Sequence, residues 1–245
     1  MREFEPGAPL GAVQSGKYKV GVLYEDNHLL VVVKPPNLPV QADASGDTDL
    51  LTLMKGYIGE KYHKPGAVYL GLCHRLDRPV GGVMVLARTS KAAARLSAAF
   101  AGHGVQKTYL AVVRGAAPDQ MELCDYLLKD GRSGMVKVVE ASAPGAKQAR
   151  LVSENLARRE GLSLQKVRLM TGRSHQIRVQ HANAGFPLWG DARYGQGRPG
   201  EQIALWAARL EFEHPTRKTP MRFVSLPPES GAWAVFRDEI KGDEC

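Results

Sequence analysis

Cysteine is scarce in this chain: Cys73, Cys124 and Cys245 are the only three in 245 residues, with no Cys-x-x-Cys pair. An odd, sparse set of this kind excludes a disulfide scaffold and a cysteine zinc cluster. No apolar run approaches the roughly eighteen residues that a membrane helix needs. The opening Met1-Arg2-Glu3-Phe4-Glu5-Pro6-Gly7 has no apolar signal core, so the expectation is a reduced, cytoplasmic protein with no membrane partner. Internal repeats and linkers of biased composition are lacking too. So are the phosphate-cradling G-x-x-x-x-G-K-[ST], a strand-linked G-x-G-x-x-G, the metal-binding H-E-x-x-H and the nucleophile elbow G-x-S-x-G. Nothing here calls for a nucleotide, metal or flavin, and no cofactor is expected.

What is present is ordinary globular material with a positive surplus. Hydrophobic residues make up 44% and charged residues 24% of the chain, which excludes a disordered, collagenous or coiled-coil protein. Lys and Arg number 33 against 25 Asp and Glu, hence 33 − 25 = +8 at pH 7. Such a balance attracts polyanions, of which RNA, DNA and acidic membranes are the usual ones.

Residues 1–17 hold Pro6, Gly7, Pro9, Gly11 and Gly16 with little periodicity and read as a loosely attached tail. Val20 to Tyr24 and His28 to Lys34 are β-rich runs around the turn Glu25-Asp26-Asn27, and Pro35-Pro36 ends the second. Thr48 to Ile58 has helical spacing with Asp47 or Thr48 as its cap. The apolar run Val83 to Ala87 suits a buried strand, and Thr89-Ser90 caps an Ala-rich helix through about Ala101, with Gly102 or Gly104 as its stop. Strands are expected over Thr108 to Val113, Met135 to Val139, Ala149 to Ser153, Leu162 to Leu169 and Leu205 to Phe212. Ser174 is the expected cap of a helix from His175 to Ala184. A terminal helix from Glu229 to Ile240 places Trp233, Phe236 and Ile240 on one face. The order is that of a single α/β unit, residues 18–245, with room for two lobes.

Three clusters could carry chemistry. Asp77 lies in the loop Gly71-Leu72-Cys73-His74-Arg75-Leu76-Asp77-Arg78-Pro79-Val80-Gly81-Gly82, between two arginines that favour its ionised form. It is either a nucleophile or base, or a turn residue paired to a neighbouring Arg. Gly172-Arg173-Ser174-His175-Gln176-Ile177-Arg178 combines a helix start with two arginines, suited to an anion; a lone solvated Arg178 is the plainer alternative. His175 and His181, six apart, lack the spacing of helical metal ligands. In the strand Lys107-Thr108-Tyr109-Leu110-Ala111-Val112-Val113, Tyr109 shares the face of Lys107 and Ala111. It either meets a base or proton acceptor, or is half-buried packing.

Together these clusters resemble the RluA family of RNA pseudouridine synthases. Cys73 to Val83 is similar to the family's H-R-L-D loop, Lys107 to Ala111 to its K-x-Y motif, and Thr171 to Arg178 to its G-R-[TS]-H-Q-[IL]-R motif. Lesser landmarks agree: Tyr24-Glu25-Asp26 through Lys34-Pro35, Gly190-Asp191-Ala192-Arg193-Tyr194-Gly195 and Phe212-Glu213-His214-Pro215, so the similarity runs from Val20 to Pro228. It implies the α+β pseudouridine synthase fold, a mixed, mainly antiparallel sheet in two lobes around a catalytic cleft with flanking helices, and no added S4 module. It implies an isomerase of structured rRNA or tRNA stem-loops; nothing in the sequence demands more than a monomer. By resemblance Asp77 is the catalytic aspartate, attacking ribose C1′ or removing a ribose proton; Arg178 pairs with it; Tyr109 stacks on the uracil and helps proton transfer at C5. Arg75 resembles the arginine that enters the RNA stem, and His74, Lys107, Arg173, His175 and Gln176 stand beside the motifs as RNA contacts. Ile177 and Leu110 read as core. Val80-Gly81-Gly82 lacks the hydroxyls of many relatives, from which a looser loop is expected. Arg2, Lys17, Lys19, Arg158 and Arg159 are either phosphate contacts or solvated charges. The competing readings are a catalytically silent RNA-binding factor on the same fold, and a hydrolase of the glycosidic bond, which commonly needs two carboxylates where one stands out here.

Overall fold

A computed structural model of the chain describes residues 10–243. They form two compact units, one of residues 10–105 and 209–225, the other of residues 106–208 and 226–243. Every strand pairing described within the two units is antiparallel.

The first unit begins with a hairpin in the stretch read as a loose tail. Strand β1 (Gly11–Ser15) pairs with β2 (Tyr18–Glu25) from Gly11↔Val22 to Ser15↔Tyr18. The two residues between them are Gly16 and Lys17, with Gly16 at φ +52°, the backbone that tight hairpin turns require. The strand escaped sequence reading because most of β1 is exposed and carries no apolar alternation; Arg2 lies outside the described residues. Asp26 closes the next turn by accepting from the His28 and Leu29 amides at 2.7 and 2.8 Å. Strand β3 (Leu29–Lys34) follows.

Helix α1 (Leu50–Lys61) is capped by Asp49, whose carboxylate accepts from the Thr52 amide at 2.9 Å. The expected caps, Asp47 and Thr48, lie just upstream, and Asp47 is engaged instead by Arg78. The two-residue β4 (Gly71–Leu72) and then β5 (Gly81–Ala87) complete the entry to α2 (Ser90–Ala101). Every residue of β5 is buried, as its unbroken apolar run predicts. Thr89 caps α2 through the Ala92 amide, and Gly102 ends it.

The second unit carries β6 (Gln106–Arg114), β7 (Gln120–Lys129), β8 (Val136–Val139), β9 (Lys147–Arg159) and β10 (Leu162–Leu169), in the order β6-β10-β9-β7-β8. Strand β7 was not expected, because its GlnMetGluLeuCysAsp start mixes charge with apolar residues. Arg158 and Arg159 are spent on ion pairs with Asp119 and Glu239. Helix α3 (Gln176–Asn183) packs Val179 against Leu127, Val136 and Ala149. Ile177 and Leu110 are core, as read from sequence.

Strand β11 (Leu205–Glu213) passes from the second unit to the first, where β12 (Pro220–Val224) pairs with its last residues. Phe212 and Phe223 join Tyr24, Val31, Val85 and Leu96 in that unit's core. His214, fully buried, accepts from the Thr216 and Arg217 amides at Nδ1 and faces Asp26 through Nε2 at 2.9 Å. The expected terminal helix divides into a 3-10 turn (Gly231–Phe236) and α4 (Arg237–Gly242). Gly231 at φ +60° bars a regular helix from starting at Glu229. Trp233, Phe236 and Ile240 are buried all the same.

Candidate active site

In the first unit, the loop between β4 and β5 is fastened from several sides. His74 Nε2 accepts the Val85 amide at 3.1 Å, and its ring stacks on Phe100 with centroids 4.4 Å apart. These bonds tie His74 to β5 and α2. Leu76 and Val80 are buried, and the Val80 amide donates to the Asp77 carbonyl at 3.0 Å. In the stretch Val80-Gly81-Gly82, Val80 packs into the core and Gly81 opens β5. Between the buried Leu76 and Val80, Asp77 is half-buried, while Arg75 and Arg78 are exposed.

Beneath the loop lies a residue that the sequence showed only as the end of a strand. Lys34 is fully buried at the end of β3. Its Nζ donates to the carbonyls of Pro35, Leu38 and Arg78 at 3.0, 2.8 and 3.0 Å. Three acceptors match the three N–H bonds of an ammonium. Burial pushes its pKa down to about 7, the Asp77 carboxylate opposing that shift. No periodicity marks such a lysine, since Lys at a strand end normally reaches solvent.

In the second unit, Tyr109 sits on β6 opposite Val167 of β10 and is half-buried. Lys107, two residues earlier on the same face, is lowered in pKa by burial, and a side chain built at Gly172 would come 3.6 Å from its Nζ. Tyr109, Lys107 and the Gly172 loop thus belong to one neighbourhood of this unit.

The start of α3 differs from expectation. Ser174 makes no cap; His175 occupies the N-cap at φ 53° with no side-chain cap bond. Gln176 does the holding instead. Its Oε1 accepts from Thr171 Oγ1 at 2.8 Å and the Arg173 amide at 3.0 Å, and its Nε2 donates to the Arg150 carbonyl at 3.0 Å. Buried and so engaged, Gln176 organises the motif's loop from within. Arg173 is exposed, its Nε donating to the Gln148 carbonyl. His175 Nδ1 meets the Tyr194 hydroxyl at 2.6 Å.

Arg178, one turn into α3, is buried and forms a two-pronged pair with Asp191, Nε and Nη2 each 2.8 Å from a carboxylate oxygen. The Arg178 guanidinium also lies 5.2 Å from the Tyr194 ring centroid. Burial alone would raise the Asp191 carboxyl; the Arg178 guanidinium and the Arg193 and Tyr194 amides overcome that and hold it below the ordinary range. The loop around Asp191 tolerates no side chain at Gly197, where a Cβ would come 2.4 Å from the Gly190 carbonyl carbon. Asp191, the carboxylate partner of Arg178, is a position that the sequence offered only as part of a landmark. Among the described residues no group of three or more His, Cys, Asp or Glu could hold a metal ion, and no helix is long and apolar enough to cross a membrane.

The fold is that of a solved human protein, RNA Pseudouridylate Synthase Domain Containing 4, at a TM-score of 0.73 and 20% identity over 90% of this chain and 92% of that one. The RNA pseudouridylate synthase family model matches residues 28–183, a span that holds Asp77, Tyr109 and Arg178. Ribosomal large subunit pseudouridine synthase C of Yersinia pestis is 35% identical over 212 residues, covering 82% of this chain and 63% of that protein. Ribosomal large subunit pseudouridine synthase D of Pseudomonas aeruginosa is 32% identical over 230 residues, covering 87% and 70%. The chain therefore belongs to the RNA pseudouridylate synthase family, and it spans about two thirds of the length of these curated relatives.

Proposed function

We propose that the chain is an RNA pseudouridine synthase that isomerises uridine in structured ribosomal RNA, as a cytoplasmic monomer. The carrying observation is the Asp77 loop, in which a half-buried carboxylate is fixed by core packing above a buried lysine and flanked by two exposed arginines. Ribosomal RNA is favoured over transfer RNA by the names of the relatives.

In this reading Asp77 acts on the ribose, either attacking C1′ to form an ester bond that breaks as C5 joins C1′, or removing a sugar proton that it returns at that step. The N1–C1′ bond breaks, the ring turns, C5 joins C1′, and the C5 proton leaves while N1 gains one. Atoms and electrons balance without a redox partner or energy donor. Tyr109 stacks on the uracil and assists at C5, and Arg178 is a basic site residue oriented by Asp191. A uridine within a stem must first be flipped out, at a cost of a few kcal/mol, offset by phosphate contacts from a chain of net charge +8. Arg75, Lys107 and Arg173 are assigned to those contacts.

The test is tritium release from uracil C5 in labelled RNA of a strain lacking this gene, with wild type and Asp77→Asn side by side. Release by wild type, and less than about a thousandth of it by Asp77→Asn, is expected. Binding of RNA with no release by wild type would establish the silent RNA-binding reading instead, and free uracil would establish a hydrolase.

A further inference from the structure

Arg78 follows Asp77 directly, so their Cα atoms are about 3.8 Å apart. Its backbone and its side chain are held by different neighbours. The carbonyl is fixed from beneath by Lys34. The guanidinium reaches away into the loop of residues 43–47, where Nη1 donates to Ser45 Oγ at 3.0 Å and lies 3.7 Å from Asp43 Oδ2, while Nη2 pairs with Asp47 Oδ2. Ser45 also donates its amide to Asp43 Oδ1 at 2.9 Å. Two carboxylates and a hydroxyl thus surround one guanidinium. All three charged side chains stay open to water, at 40% for Arg78, 45% for Asp43 and 48% for Asp47.

That exposure decides what the arrangement is worth. Ion pairs open to solvent are screened and contribute little, so this one is readily exchanged. A phosphodiester presents two anionic oxygens to an arginine in much the same way as these carboxylates, in a geometry that arginine binds with two parallel hydrogen bonds. We propose that Arg78 is a contact for an RNA backbone phosphate beside the target uridine, and that Asp43 and Asp47 occupy it until RNA displaces them. The inference rests on the RNA-modifying reading above and adds to it a phosphate subsite with a built-in competitor. The 43–47 loop then acts as a filter: only RNA that offers a phosphate at this position displaces it.

The test is a double-mutant cycle, reading the Kd of a fluorescein-labelled RNA stem-loop with uridines in its loop. Asp43→Asn/Asp47→Asn should tighten binding roughly two- to fivefold, the range of an exposed pair. The same pair of changes in an Arg78→Gln background should give less than half of that gain. Arg78→Gln alone should weaken binding and make the salt slope shallower by about 0.7 to 1. An equal gain in both backgrounds would mean that only net charge had changed, and would overturn the proposal. So would weaker binding by the Asp43/Asp47 variant, since the loop would then be a plain structural staple. RNA left unbound by the wild type would overturn the underlying reading and this one together; retained RNA with no coupling overturns this one alone.

Discussion

Replacing Lys34 with Met separates the stability of the first unit from the positioning of its Asp77 loop. The substitution removes an ammonium and leaves the carbonyls of Pro35, Leu38 and Arg78 without their donor. Each buried acceptor so orphaned costs about 1–3 kcal/mol, hence roughly 3–9 in all. Against that stands the relief of burial, which lowers the Lys34 pKa from 10.5 to about 7. At 1.36 kcal/mol per unit this is about 5 kcal/mol. The difference runs from about 2 kcal/mol of gain to 4 of loss, and at 2–4 °C per kcal/mol the Tm falls by no more than roughly 15 °C. The variant should therefore be folded at 25 °C. Its loop, however, has lost the tether on Arg78 and, below about pH 7, the cation behind Asp77. With Asp77 in the role proposed above, its displacement by about an ångström costs on the order of a hundredfold, so kcat at saturating RNA should fall by about that factor. The pH dependence has a sign as well: between about pH 7 and 10.5 the unfolded chain binds a proton at Lys34 that the folded protein has released, so wild-type stability gains on the Met variant as pH rises through that window. A kcat within about threefold of wild type, measured by tritium release alongside a thermal melt, would refute the positioning role.

Two further outcomes test the second unit. His181 is fully buried, and burial lowers its pKa from 6.5 to about 4, its Nδ1 facing the Ile177 carbonyl at 2.9 Å. The unfolded chain gains a proton there before the folded protein does, so stability should fall by about 3 kcal/mol as pH drops from 6.5 to 4. Urea titrations of wild type and His181→Gln across that range check it, and identical pH slopes would sink the assignment. Asp191→Ala removes the carboxylate that accepts from Arg178 Nε and Nη2, and breaking a buried pair of this kind typically costs about 3–5 kcal/mol. Calorimetry should show a Tm lower by about 6–20 °C, and an unchanged Tm would show that Arg178 finds another anion at once.

Much of this was readable from sequence where local chemistry alone decides the outcome. The Thr89 cap, the Gly102 stop and the apolar run of β5 each announce themselves within a few residues. The Asp77 loop stood out because charge and glycine directly precede that buried strand. What was hidden depends on partners distant in sequence. Strand β1 is ordered by its pairing to β2 and by one glycine turn, and it has no buried face to betray it. The start of α3 is held by Gln176 reaching Thr171 and the Arg150 carbonyl, so the nearby Ser174 is not used. The role of Lys34 arises because Pro35, Leu38 and Arg78 turn their carbonyls toward one point, and the last of these is 44 residues away. Asp191 likewise acquires its partner only when α3 and the 190–197 loop meet.

The order in which the chain is made matters for how these units form. The first unit is interrupted after residue 105 and resumes at 209, so the ribosome makes 209 − 106 = 103 residues of the other unit in between. At 5–20 residues per second that interval lasts roughly 5–20 s. Throughout it, the side chains of Tyr24, Val31, Val85 and Leu96 lack the Leu210, Phe212, Met221 and Phe223 that finish their core. The second unit in turn waits for residues beyond 225, which bring in the buried Trp233, Phe236 and Ile240. Neither unit is a contiguous segment, so cutting the gene at residue 105 yields two unfinished pieces rather than two domains. The first unit is complete only once residues 209–225 have been made and the second only with those that follow, so a nascent chain stalled before residue 225 exposes apolar surface from each.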